Sequence, residues 1–226
     1  METAKKLSNL EKRKPKTPIK FKIELNEEQK VAKSLIYDNP VVLIKGQAGS
    51  GKTLVACQVA MDMFFKREIE KIIITRPTVA KEDIGFLPGD LKEKMDPWLA
   101  PIYSNLHLLY DREKVDKMLA ENQIEIVPFA FMRGRTFPNS FVIVDECQNI
   151  THSQTEMMLG RLGKGGKIVF CGDITQSDLK NKKESGISFF TRLEENVKGV
   201  RVISLKTNHR HEIVEPILRV YSDFRD

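Results

Sequence analysis

The residues best placed for chemistry are Lys52 and Thr53. They close the segment Gly46-Gln47-Ala48-Gly49-Ser50-Gly51-Lys52-Thr53, in which two glycines enclose four residues and Lys and Thr follow at once. This is the phosphate-loop pattern. Its glycines let successive backbone N–H groups turn inward around a phosphate chain, and a helix starting at its end adds donors and partial positive charge. Lys52 has the reach for the β- and γ-phosphates of a nucleotide such as ATP, and the Thr53 hydroxyl suits Mg²⁺. A glycine turn ahead of a helix is the plain alternative. The flanks weigh against it: an apolar run, Val41 to Ile44, comes before, and a helical stretch, Thr53 to Lys66, comes after.

A second set of groups stands at the end of another apolar run, Phe141 to Val144, which leads into Asp145 and Glu146. In open α/β sheets, ligands bind beyond the carboxyl ends of strands. Asp145 is thereby placed to hold Mg²⁺ with Thr53, directly or through water, and Glu146 to orient or deprotonate an attacking water. Further along, Lys167 to Cys171 leads into Gly172-Asp173-Ile174-Thr175-Gln176. The Gln176 amide there has the hydrogen-bonding capacity to sense a γ-phosphate. Gln29 precedes the first strand. Its amide carries a donor and an acceptor that match an adenine edge, although by position alone it reads as a surface residue of a helix.

These groups need a frame to hold them. Short β-type runs recur at Val41–Ile44, Ile72–Thr75, Ile124–Val127, Phe141–Val144, Ile168–Phe170 and Val200–Ile203. Helical stretches alternate with them, at 25–37 (where Val31, Leu35 and Ile36 are expected to share a face), 53–66, about 89–119, 153–162, 185–196 and 211–221. Near-continuous apolar strands separated by helices predict an α/β domain with a parallel sheet covered on both faces. Pro77, Pro88, Pro97 and Pro101 are expected to break the helical insertion between Thr75 and Ile124 into short pieces.

The 226 residues suffice for one domain over 21–226 with a substantial core, and no apolar run approaches a membrane span. The three cysteines, Cys57, Cys147 and Cys171, form no metal or redox spacing. Buried free thiols in a cytoplasmic setting are expected. Residues 1–20 hold seven bases and two acids, which is +5 of the net +6. This stretch reads as a disordered basic tail that either contacts nucleic-acid phosphates or is a solvated extension.

Taken together the motifs resemble the PhoH-like family of phosphate-loop ATPases, a group related to superfamily 1 helicases. The resemblance rests on Gly46–Thr53, Thr75-Arg76-Pro77, Gly85–Leu91, Met132–Thr136, Asp145–Asn149, Gly172–Leu179 and Arg210-His211, in that order. Cys147 stands where the family usually has Ala, and Lys81-Glu82-Asp83 departs from the usual pattern before Gly85. The resemblance implies a RecA-like phosphate-loop NTPase domain that binds and hydrolyses ATP with Mg²⁺. It also implies coupling to RNA or single-stranded DNA and a ring-shaped homo-oligomer, a hexamer. The adenine-reading role of Gln29 rests mainly on it, and it places Arg76 in a segment that lies along nucleic acid in helicases. A core without a second arginine-bearing domain is expected to borrow an arginine from a neighbour, with Arg133, Arg135 and Arg210 as candidates and local salt bridging as their ordinary use. The main rival is a nucleotide-dependent switch or assembly module with little turnover. A small-molecule kinase and an RNA-binding protein with vestigial ATPase activity are further readings that the intact motifs disfavour.

Overall fold

Six short runs rich in Val, Ile and Phe build one sheet in a computed structural model that describes residues 19–77 and 91–223. The strands are β1 (Val41–Gly46), β2 (Lys71–Arg76), β3 (Ile124–Pro128), β4 (Ser140–Val144), β5 (Lys167–Gly172) and β6 (Val200–Leu205). They lie in the order β3-β2-β4-β5-β1-β6, all parallel, with Val42 beside Val169 and Ile74 beside Ile143. Successive side chains leave a strand on opposite faces, so a doubly covered sheet needs apolar residues at every position. Val42, Ile44, Ile72, Ile74, Phe141 and Ile143 enter one core, while Val41, Leu43, Ile73, Val142, Val144 and Phe170 enter the other.

The first core is covered by α1 (Glu27–Asp38), α2 (Lys52–Phe65), α3 (Leu91–Leu109) and α4 (Arg112–Ala120). The second lies under α5 (His152–Leu159) and α6 (Phe190–Asn196), and α7 (Val214–Asp223) follows β6. The predicted parallel sheet with helices on both faces is therefore present. Among the described residues no helix is long and apolar enough to cross a membrane. All three cysteines are buried and free, and burial pushes the Cys57 thiol far up.

Several local expectations are corrected. In α1 the buried residues are Gln29, Ala32 and Ile36, whereas Val31 is 55% exposed. Positions 29, 32 and 36 share a face at helical spacing, but 31 and 36 are about 140° apart. The helix starts cleanly because Asn26 and Gln29 form a capping box, each side chain bonded to the other's backbone N–H. The proline-rich insertion is not broken at 97 or 101: α3 runs through both. A proline inside a helix costs about 3 kcal/mol. Burial of Leu99, Ile102, Leu106 and Leu109 on the first core offsets that. The break comes at Asp111, whose side chain caps α4 by accepting from Lys114 N. Likewise 185–196 is one short turn, Gly186–Phe189, followed by α6 rather than one helix. Most of the basic tail, the Lys81–Asp83 loop and Pro88 lie outside the described residues.

Phe170 is fully buried and meets Phe190 edge to face, ring centroids 4.9 Å apart. Phe170→Ala should lower stability by about 3–5 kcal/mol, as for other large-to-small core changes. Urea unfolding would measure this, and a loss under about 1 kcal/mol would mean that this core relaxes around the gap.

Candidate nucleotide site

The loop between β1 and α2 owes its shape to glycine. Gly51, the residue before α2, has φ 82° and so lies in the left-handed region. A Cβ on it would come within 2.6 Å of Gln29 Nε2. Gly49, at φ 89°, has Arg210 Cγ and Asn208 Oδ1 where its Cβ would stand. Lys52 closes the loop. Its Nζ donates to Gly46 O at 2.6 Å and to Gln47 O at 3.0 Å, a position from which phosphate oxygens can exchange with the two carbonyls.

Strand β4 ends beside this loop. Asp145 is anchored by its own N–H to Thr75 O of β2 at 2.8 Å, and its Oδ1 accepts from the Thr53 hydroxyl at 2.6 Å. One strand, β5, separates β1 from β4, so this bond spans from the first turn of α2 to the end of β4. Burial raises the Asp145 carboxyl above its ordinary range, and the neighbouring Glu146 adds to the rise. The Thr53 hydroxyl and the Arg76 charge oppose it. A hydroxyl and a buried carboxylate in contact are hard oxygen donors that fit Mg²⁺, which takes one or two protein ligands and fills the rest of its shell with water and phosphate. Among the described residues no cluster of three His, Cys, Asp or Glu could hold a metal by itself.

Glu146 has φ 50°, a left-handed conformation that costs a non-glycine residue on the order of 1 kcal/mol and persists where the surroundings impose it. Its Oε2 accepts from Gln148 Nε2 at 2.5 Å, and Gln148 Oε1 accepts from Asp173 N–H at 3.1 Å. Gln148 is fully buried and needs both ends of its amide for this bridge from β4 to β5. It was not singled out from sequence, although it lies two positions after Glu146 within the quoted Asp145–Asn149 motif.

A cavity of about 560 Å³ collects Gln29, Ala48, Gly49, Gly51, Lys52, Thr53, Glu146 and Arg210. Gly46 and Gln47 line a second cavity, with Asp173, Lys206 and Asn208. Ser50 is buried and its Oγ has no partner among the described residues. Gln176 stands exposed in the turn after β5, outside the lining of the first cavity.

Gln29 is turned inward. Its Oε1 accepts from Asn26 N at 3.1 Å and its Nε2 donates to Ser50 O at 3.2 Å. The amide expected to read adenine lines the cavity and, in this structure, also caps α1 and supports the loop. His209, also missed from sequence, closes the same corner. Its backbone N–H donates to Gly49 O at 3.1 Å, and its Nε2 lies 3.2 Å from both Asn26 Nδ2 and Gln29 Nε2.

The chain resembles known proteins over most of its length. The family model described as "PhoH-like protein" matches residues 22–222. The PhoH-like protein of Synechocystis sp. is 42% identical over 189 residues, 82% of this chain and 58% of that protein. The chain belongs to the PhoH-like family. Protein PhoH of Escherichia coli is 40% identical over 202 residues, 87% of this PhoH-like chain and 57% of that one. The chain therefore spans little more than half the length of these relatives. Among solved structures, the large terminase of a thermophilic bacteriophage covers 87% of the chain and half of its own, at 13% identity and TM-score 0.50. A Pif1 helicase from Candida albicans covers 90% of the chain and 44% of its own, at 16% identity and TM-score 0.46. The fold of this PhoH-like chain is that of a RecA-like phosphate-loop NTPase.

The three arginines part company. Arg210 lies against the phosphate loop of its own chain, through Gly49. Arg135 makes a two-pronged ion pair with Glu125 at 2.9 and 2.8 Å and lies over the Phe137 ring. It follows β3, four strand spacings of about 4.8 Å from β1, or roughly 19 Å, too far to act on its own loop. Arg133 is exposed near it.

Arg135 holds the Glu125 carboxyl down to about 2, burial opposes it, and Lys71 adds to it. A depressed carboxyl pKa stabilises the fold above its unfolded value, and that contribution disappears as pH falls through the folded value. Arg135→Ala should therefore lower the urea midpoint by an amount that is constant above about pH 4.5 and shrinks between there and about pH 2. Equal midpoints for variant and parent at pH 7 would show that the pair contributes nothing to stability.

Proposed function

We propose that this PhoH-like chain binds ATP with Mg²⁺ and hydrolyses it. The observation that carries this reading is the Thr53–Asp145 hydrogen bond, with Lys52 and Glu146 facing the same cavity. Lys52 and the loop amides would hold the phosphates. Thr53 and Asp145 would hold Mg²⁺, which when bound screens the phosphate charge. Gln148 fixes one carboxylate oxygen of Glu146 and leaves Oε1 to take a proton from water. A backbone strained to aim that carboxylate supports turnover over a pure binding switch.

For the partner, this reading takes RNA or single-stranded DNA from the family resemblance and the charge of residues 1–20. A homo-oligomeric ring, hexameric on the same resemblance, is part of it. Arg210 would serve its own site as the transition-state cation, because it already lies on its own loop. In such a ring Arg133 would be the arginine offered to a neighbour. Gln176 would reach the γ-phosphate only by a swing of its turn.

Glu146→Gln should keep ATP affinity within about threefold and cut turnover by a factor of about 100 or more, since an amide cannot act as base. Lys52→Ala should lose ATP binding. Phosphate release and calorimetric titration measure the two, and normal turnover by Glu146→Gln would remove Glu146 from the chemistry. Arg210→Ala should bind ATP and turn it over slowly. Mixing it with Lys52→Ala should restore nothing, because the intact arginine and the intact loop would sit in different chains. Recovery of turnover in verified mixed assemblies would instead place Arg210 at a neighbour's site.

A further inference from the structure

We propose that His209 is a positioning residue for the phosphate loop and that its ring works as a hydrogen-bond acceptor. The proposal rests on the nucleotide-binding reading above. It adds to that site a residue that lies far along the chain from the phosphate-loop pattern, after β6.

The capping box of α1 decides which atoms of Asn26 and Gln29 face the imidazole. Gln29 N–H donates to Asn26 Oδ1 at 2.9 Å, and Asn26 N–H donates to Gln29 Oε1 at 3.1 Å. Each carbonyl oxygen keeps a second lone pair for a ligand, and each NH₂ group turns toward His209. Asn26 Nδ2 and Gln29 Nε2 both lie 3.2 Å from His209 Nε2. Two donors that meet one ring nitrogen require it to accept, which puts the ring hydrogen on Nδ1.

Through these bonds His209 holds two successive carbonyls of the loop. Its own backbone N–H donates to Gly49 O at 3.1 Å. Its ring holds one hydrogen of Gln29 Nε2, and Gln29 Nε2 also donates to Ser50 O at 3.2 Å. A trans peptide is planar, so a pinned carbonyl aims the following N–H the opposite way. Gly49 O thereby sets Ser50 N–H, which donates to Gln47 O at 3.2 Å and closes the loop on itself. Ser50 O sets Gly51 N–H, which makes no hydrogen bond among the described residues and is left for a phosphate oxygen. Without an acceptor at position 209 the Gln29 amide loses one of its restraints, and the aim of Gly51 N–H loosens with it.

Calorimetric titration of the whole chain with Mg²⁺ and either ATP or inorganic tripolyphosphate, a probe without base or sugar, tests this. His209→Leu keeps the backbone N–H and removes the acceptor, and should weaken both ligands by about five- to tenfold. His209→Gln supplies an acceptor oxygen in its place and should bind both within about twofold of the parent. The ring is exposed, so both variants should keep the parent's urea midpoint. Parent-like binding by His209→Leu, no rescue by His209→Gln, loss confined to ATP, or a midpoint that falls in step with affinity would each overturn the role of His209. Failure of the parent to bind either ligand would instead overturn the nucleotide-binding reading and this proposal with it.

Discussion

A single hydrogen bond, Thr53 Oγ1 to Asp145 Oδ1 at 2.6 Å, joins the two halves of the site. One partner belongs to the first turn of α2 and the other to the end of β4, and β5 runs between their strands. The bond forms only if β4, β5 and β1 end level, which their parallel registers arrange. It also requires α2 to begin at the strand end rather than a turn later. Gly51 secures that by its left-handed backbone. The carboxylate costs free energy to bury, and its rise in pKa shows the cost. Burial of this kind is retained where an acid has a use, since an apolar residue at the end of β4 would pack as well.

From that bond outward, the two cores do different work. The first core packs the helices that touch the cavity: α1 through Gln29, α2 through Lys52 to Leu54, and α3 through Pro101 and Asn105. The second core, under α5 and α6, holds the far face and carries Gln148's neighbours. Gln148 bridges Glu146 to the backbone after β5. The catalytic candidate is thus held from the strand next to its own, and a shift of β5 against β4 would move it.

Sequence patterning made the frame legible because its signals are local. Each strand is an unbroken apolar run, and the phosphate loop, Asp145 and Glu146 each follow one directly. What escaped depends on partners far away in the chain. Gln29 looks free in sequence, yet His209, 180 positions on, helps to enclose it. Arg135 and Arg210 look alike in sequence, and only Glu125 beside one and Gly49 beside the other tell them apart. Prolines at 97 and 101 argue for broken helices by local rules, but the buried face of α3 outweighs them.

The first helix and the segment after β6 are tied together beside the phosphate loop. Glu28 of α1 accepts from the backbone N–H of Lys206 and Thr207 after β6, and also from the Thr207 hydroxyl. Asn26 and Gln29 meet His209, and His209 bonds to Gly49. Gly49 and Ser50 are thus held by groups from both segments, Gly49 O by His209 N–H and Ser50 O by Gln29 Nε2. Any rearrangement of this loop would have to carry Asn26, Gln29 and His209 with it or break these bonds.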